Sequence, residues 1–142
     1  MTPAILFMPN VLAPTEVTDL PSEADLIDQL RVYLEGLFPK NCNGCGQQYQ
    51  SLREYLQTTT TVGQVMSYDV DMGNWHPLKP IGTLTLANCH CGNTMALSSS
   101  EMPLPQLWLL LAWVHRQVEI RQQTPDEVLT CLRTDITRQV LA

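Results

Sequence analysis

An α+β fold is predicted by three features of this 142-residue sequence. Several segments repeat their apolar residues at three- and four-residue steps, the period of an amphipathic helix. The run Thr83-Leu84-Thr85-Leu86 alternates as a half-buried strand does. Two cysteine pairs, Cys42-x-x-Cys45-Gly46 and Cys89-x-Cys91-Gly92, each fall in a turn-like stretch. The expected architecture is a small antiparallel β-sheet with a four-cysteine site at its edge, packed on about four helices. One domain suits this length. It is expected over residues 22–142, behind an extended Pro-rich arm over residues 1–21.

In the arm, prolines at 3, 9 and 14 interrupt any helical or strand period. Ile5, Leu6, Phe7 and Met8 are its apolar residues, suited to packing on the domain or to a partner-binding tail. The first helix starts at Pro21-Ser22, with Ser22 as cap and Asp25 at the positive end of the dipole. Leu26, Ile27, Leu30, Tyr33, Leu34, Leu37 and Phe38 form its stripe, and Pro39 stops it. Beyond the first cysteine pair, Ser51 and Glu54 form a capping box for a short helix. "TTTTVGQVMSY" reads as a strand interrupted at Gly63, and "DMGNWHPLKP" as an irregular connection. "GTLTLANC" and "NTMALSS" read as two strands of a hairpin with Cys89 and Cys91 at its tip.

Two helices end the chain. The third runs from Pro103–Pro105 through "QLWLLLAWVHRQVEI", with Leu107, Leu110, Leu111, Val114 and Val118 as its main stripe. Trp108, Leu109, Trp113 and Ile120 fall on its other faces, so its first half is apolar nearly all round. Such a helix is either the centre of the core or a subunit interface. The second case makes the 103–122 helix the seam of a homodimer. The fourth helix has Thr124 as cap, Pro125 at its first position and Glu127 completing a capping box. Val128, Leu129, Leu132, Ile136 and Val140 face inward, with Cys131 beside them as a buried spare thiol.

Cys42, Cys45, Cys89 and Cys91 together supply four soft ligands, which fill the tetrahedral shell that Zn²⁺ prefers. The glycine after each pair permits the positive φ of a tight turn. Residues 46–88 separate the pairs. Closing that gap instead of a 12-residue finger loop costs about 1 kcal/mol more. Structural zinc contributes on the order of 10–16 kcal/mol in small peptides, so the gap is tolerable. Two other uses of the cysteines compete: an iron–sulfur centre, whose usual spacings these pairs do not match, and redox-active thiols. Four sulfurs leave no open position for substrate, which argues against a catalytic metal. His90 points outward between two ligands, His76 sits in a loop beside Trp75, and His115 lies on the polar flank of the third helix. Asp69 and Asp71 occupy a solvated turn. No nucleophile elbow, phosphate-binding glycine loop or HExxH motif is present.

Charged residues make up 15% of the chain against the roughly 25% common in soluble domains, so part of the surface is expected to meet a partner. Eight basic residues against 14 acidic give a net charge of −6, and the basic ones form no stripe. Nucleic acid is therefore excluded as an expected partner. No run approaches the roughly 18 apolar residues of a membrane span. No export signal opens the sequence, so the five cysteines are expected as reduced thiols in a cytoplasm.

The two Cys-Gly units resemble those of zinc-ribbon and zinc-knuckle proteins, over residues 42–46 and 89–92 only. They depart from the simple ribbon in having a helix after the first knuckle and a single residue inside the second. The chain as a whole is similar to small bacterial proteins with this cysteine arrangement, a family without an assigned activity. The expected function is a non-enzymatic, zinc-stabilised interaction or regulatory module. Its partner surface is expected at Trp75, His76, Trp108 and Trp113, for a protein partner or a second copy. The alternative is a thiol-based redox sensor that releases zinc on oxidation. A third expectation is an enzyme built on Asp69, Asp71 and His76.

Overall fold

The structure, a computed structural model, describes residues 20–142. The expected arm therefore lies, up to Asp19, outside the described residues. Helix α1 (Glu23–Glu35) begins where Ser22 Oγ accepts the Asp25 N–H at 3.1 Å. It leads into a two-stranded hairpin of β1 (Lys40–Asn41) and β2 (Gln48–Tyr49), with Lys40 opposite Tyr49. Helix α2 (Leu52–Thr58) follows, and Ser51 Oγ accepts the Glu54 N–H at 3.1 Å. The return bond differs from the expected box: Glu54 Oε1 accepts from the Gln50 N–H, one residue before the cap.

The main sheet has the order β3 (Thr60–Ser67), β4 (Thr83–Asn88), β5 (Thr94–Ser98), antiparallel throughout. Gly63 has φ 69°, and the β3–β4 register shifts between Val62 and Met66, the interruption that this glycine signals. Between β3 and β4 the chain makes a short helix α3 (Tyr68–Asp71) and then the irregular connection. Helices α4 (Leu104–Arg121) and α5 (Pro125–Leu141) end the chain. At α5, Thr124 Oγ1 accepts the Glu127 N–H and Glu127 Oε1 accepts the Thr124 N–H, a complete capping box.

Two hydrophobic clusters form the interior. The larger joins α1, α4 and α5, with Leu26 and Val128 wholly buried. Each such side chain contributes about 1.5–3 kcal/mol relative to exposure. The second gathers Tyr49, Leu52, Tyr55, Ala87, Met95 and Leu97 around the buried Cys42 and Cys89. Helix α5 bridges the parts, packing on β3, α4, α2 and α1.

Three expectations need correction. Trp113 is only 3% exposed and belongs to the helical cluster, because it stands three residues from Leu110 and beside Val114 on the buried arc of α4. It presents no surface to a partner. Cys131 is exposed, since the inward arc of α5 is filled by Val128, Leu129, Leu132 and Ile136. Asp69 is 2% exposed instead of solvated: its Oδ2 accepts the N–H groups of Ile81 and Gly82, closing the connection between α3 and β4. No helix among the described residues is long and apolar enough to cross a membrane.

Candidate metal centre

Each cysteine pair sits at the end of a hairpin. The β1–β2 ladder brackets Cys42 and Cys45, and the Cys42 N–H donates to the Gln47 carbonyl at 2.9 Å. The β4–β5 ladder brackets Cys89 and Cys91, and the Cys89 N–H donates to the Asn93 carbonyl at 2.9 Å. The first knuckle is thus flanked by strands on both sides before α2 begins, so a strand and not a helix follows it directly. Gly46 (φ 78°) and Gly92 (φ 92°) take the left-handed backbone that each turn requires.

The four sulfur atoms lie within 4.8 Å of one another. Cys42 Sγ is 3.6 Å from Cys91 Sγ, and Cys45 Sγ is 3.7 Å from Cys89 Sγ. A metal–sulfur distance of about 2.3 Å implies tetrahedral edges of about 3.8 Å. A disulfide would bring two sulfurs to about 2.05 Å. The two short separations match tetrahedral edges and are too long for disulfides, and all the cysteines are free thiols. The four residues could hold a metal ion such as zinc.

Hydrogen bonds surround the sulfurs. The Tyr49 hydroxyl, buried, donates to Cys89 Sγ at 2.9 Å. Gly44 N–H and Asn93 Nδ2 approach Cys42 Sγ at 3.4 and 3.6 Å. Sequence reasoning missed Tyr49, Gly44 and Asn93. The last two stand within or beside the knuckles and carry a positional signal; Tyr49 reaches Cys89 only because β2 folds back.

These donors divide the thiols. The Cys45 N–H, then the Gly44 N–H, draw Cys42 down to about 6. Cys89 is also lowered, first by the Cys91 N–H and then by the Tyr49 hydroxyl. Cys45 moves up to about 12: the Gln47 N–H favours its thiolate, but desolvation and the sulfurs of Cys91, Cys89 and Cys42 outweigh it. Tyr49 is raised, chiefly by the bond it donates to Cys89. Several like charges crowded together cannot all ionise unaided. A divalent cation removes that conflict.

Burial is uneven. Cys42 and Cys89 are buried, whereas Cys45 and Cys91 are exposed, so one edge of the cluster faces solvent. His90 is exposed with Nδ1 3.5 Å from Cys89 Sγ, against the knuckle and outside the sulfur cluster.

The other expected residues gather elsewhere. Trp75 stacks on His115 of α4 with ring centroids 4.3 Å apart, and His76 lies 6.3 Å from the same imidazole. Trp108 Nε1 donates to the Pro77 carbonyl at 3.0 Å. Trp75 packs against the helical cluster, so α4 holds this surface rather than the knuckles. His115 is consequently half-buried under an indole instead of free on a polar flank. Asp69 is engaged by backbone N–H groups, while Asp71 and His76 are exposed.

No protein-family model, curated protein or solved structure matches this chain.

Proposed function

We propose that this protein is a non-enzymatic interaction or regulatory module stabilised by one structural Zn²⁺. The observation that carries the proposal is the convergence of four sulfurs, from two hairpins, to within 4.8 Å. Four thiolates complete the shell of zinc and leave no position for a substrate. The ion ties the loop after α1 to the β4–β5 hairpin, and hence the N-terminal part of the chain to the main sheet. The partner-facing surface is the connection between α3 and β4. Leu78 there is 83% exposed, and Trp75, His76 and Trp108 frame it. The test is removal of metal with a strong chelator, alongside Cys45→Ser. Both treatments are expected to lower the melting temperature by at least about 10 °C. Unchanged melting in the two samples would contradict the proposal.

A second function is favoured by the exposure of Cys45 and Cys91. Cysteine sulfurs at a solvent-facing edge are more accessible to oxidants than buried ones. The module then acts as a thiol-based sensor that releases zinc when oxidised. Mild peroxide followed by zinc and free-thiol assays distinguishes the two: release of zinc with loss of thiols supports the sensor, and unchanged values leave only the structural role.

A further inference from the structure

Apart from the four-cysteine cluster, the molecule contains a cavity of about 420 Å³ between the inner face of the main sheet and helices α1, α2, α4 and α5. Its origin lies in side-chain length. Thr61, Thr83, Thr85 and Ala87 line it from the sheet and Ser99 from just beyond β5, short residues that outnumber the longer Val65 and Leu97 on that wall. Native cores hold few voids larger than a water molecule. Ligand pockets, by contrast, span roughly 300–1,000 Å³ and are mainly apolar with a few placed polar groups.

The wall chemistry specifies the ligand. Leu52, Leu97, Leu110, Leu129 and Leu132 line the cavity and are buried, forming an aliphatic floor. Thr61, Thr134 and Arg138, which are exposed, mark the mouth. Arg133 also lines it and is half-buried. Its Nη1 donates to Thr85 Oγ1 and its Nη2 to the Gly63 carbonyl, both at 3.1 Å. Arg133, like Arg53 and Arg116, forms no ion pair with an Asp or Glu carboxylate among the described residues. A guanidinium has five N–H donors, so Arg133 keeps donors for a further acceptor. Burial also lowers the pKa of Arg133, a cost that an incoming anion offsets.

We propose that this cavity binds a small molecule with an aliphatic body and one carboxylate, of the medium-chain fatty-acid class. The chain lies on the leucine floor and the carboxylate meets Arg133. A carboxylate suits a guanidinium because the two can pair through parallel, charge-assisted hydrogen bonds. None of the four cysteines lines the cavity, so the bound acid would not touch the sulfur atoms, although Leu52, Ala87 and Leu97 belong to both the cavity wall and the cluster around Cys42 and Cys89.

The test is calorimetric titration of the purified full-length protein with decanoate, below its micelle concentration, and in parallel with 1-decanol. One decanoate per chain is expected, bound at least about tenfold more tightly than the alcohol, the margin of one charge-assisted contact. Arg133→Gln is expected to bring the two affinities to within about threefold of each other. Thr61→Trp, at an exposed position, obstructs the mouth and weakens both ligands. Absent or non-saturating decanoate binding, or equal affinity of the wild-type protein for acid and alcohol, overturns the proposal. So does an acid-to-alcohol ratio unchanged in folded Arg133→Gln. Should that variant fail to fold, the wild-type ratio decides alone.

Discussion

Tyr49 shows how much the four-cysteine cluster depends on a residue outside it. Its ring packs edge-on against Tyr55 at 5.6 Å, and its hydroxyl meets Cys89 Sγ at 2.9 Å. The packing fixes the ring, and the fixed ring aims the donor. A thiolate that accepts this bond is held in one orientation and carries less uncompensated charge. Groups that orient metal ligands typically contribute about 10–100-fold in metal affinity when removed. Tyr49→Phe keeps the packing and deletes only the donor, so zinc affinity is expected to fall by about tenfold with the fold retained. Competition against a chromophoric chelator measures it; an unchanged constant would mean that the hydroxyl serves only to satisfy itself.

At the scale of elements, the two hairpins meet closely. A Cβ placed on Gly44 would lie 2.8 Å from Asn93 Cβ and 3.4 Å from Cys91 Sγ. Asn93 Cβ is anchored to its own backbone and cannot swing away, so the knuckles would have to part. Gly44→Ala is therefore expected to destabilise the zinc-bound protein by about 1–3 kcal/mol, the cost common for overpacking. Equilibrium denaturation checks this, and a value within 0.5 kcal/mol of wild type, the range of ordinary surface changes, would contradict it. The long elements were legible because their signals are local. Ser22 and Thr124 cap the helices as their spacing to Asp25 and Glu127 implied. The convergence of the two Cys-Gly turns was legible from ligand type and spacing. The β1–β2 ladder was not, since two-residue strands have no period to detect. Asp69 was misplaced for a similar reason: its partners are N–H groups 12 and 13 residues onward, which no side-chain pattern encodes.

For the whole molecule, α4 is the instructive case. Its first half is apolar on all faces, so periodicity could not say which aromatic residue turns inward. Packing against α1 and α5 decides the matter, burying Trp113 while Trp108 stays half-buried beside Pro77. Arg121 lies over the Trp113 ring, 5.5 Å from its centroid, and also bonds Glu23 of α1. Trp113→Glu would place a carboxylate in that interior and remove a large apolar side chain. A loss of about 3–5 kcal/mol is expected, measured by denaturant unfolding. A variant of native stability that differed only in oligomeric mass would contradict this placement. The helical cluster and the knuckle cluster share α5 and the main sheet, so a metal ion held at the knuckles would stabilise a body whose larger core lies elsewhere. The central claim is that one ion joins the two hairpins through sulfur alone. Zinc K-edge X-ray absorption of the purified protein tests it most directly. The account predicts one zinc per chain with four sulfur neighbours at about 2.3 Å; a protein without zinc, or a shell containing nitrogen or oxygen, would contradict it.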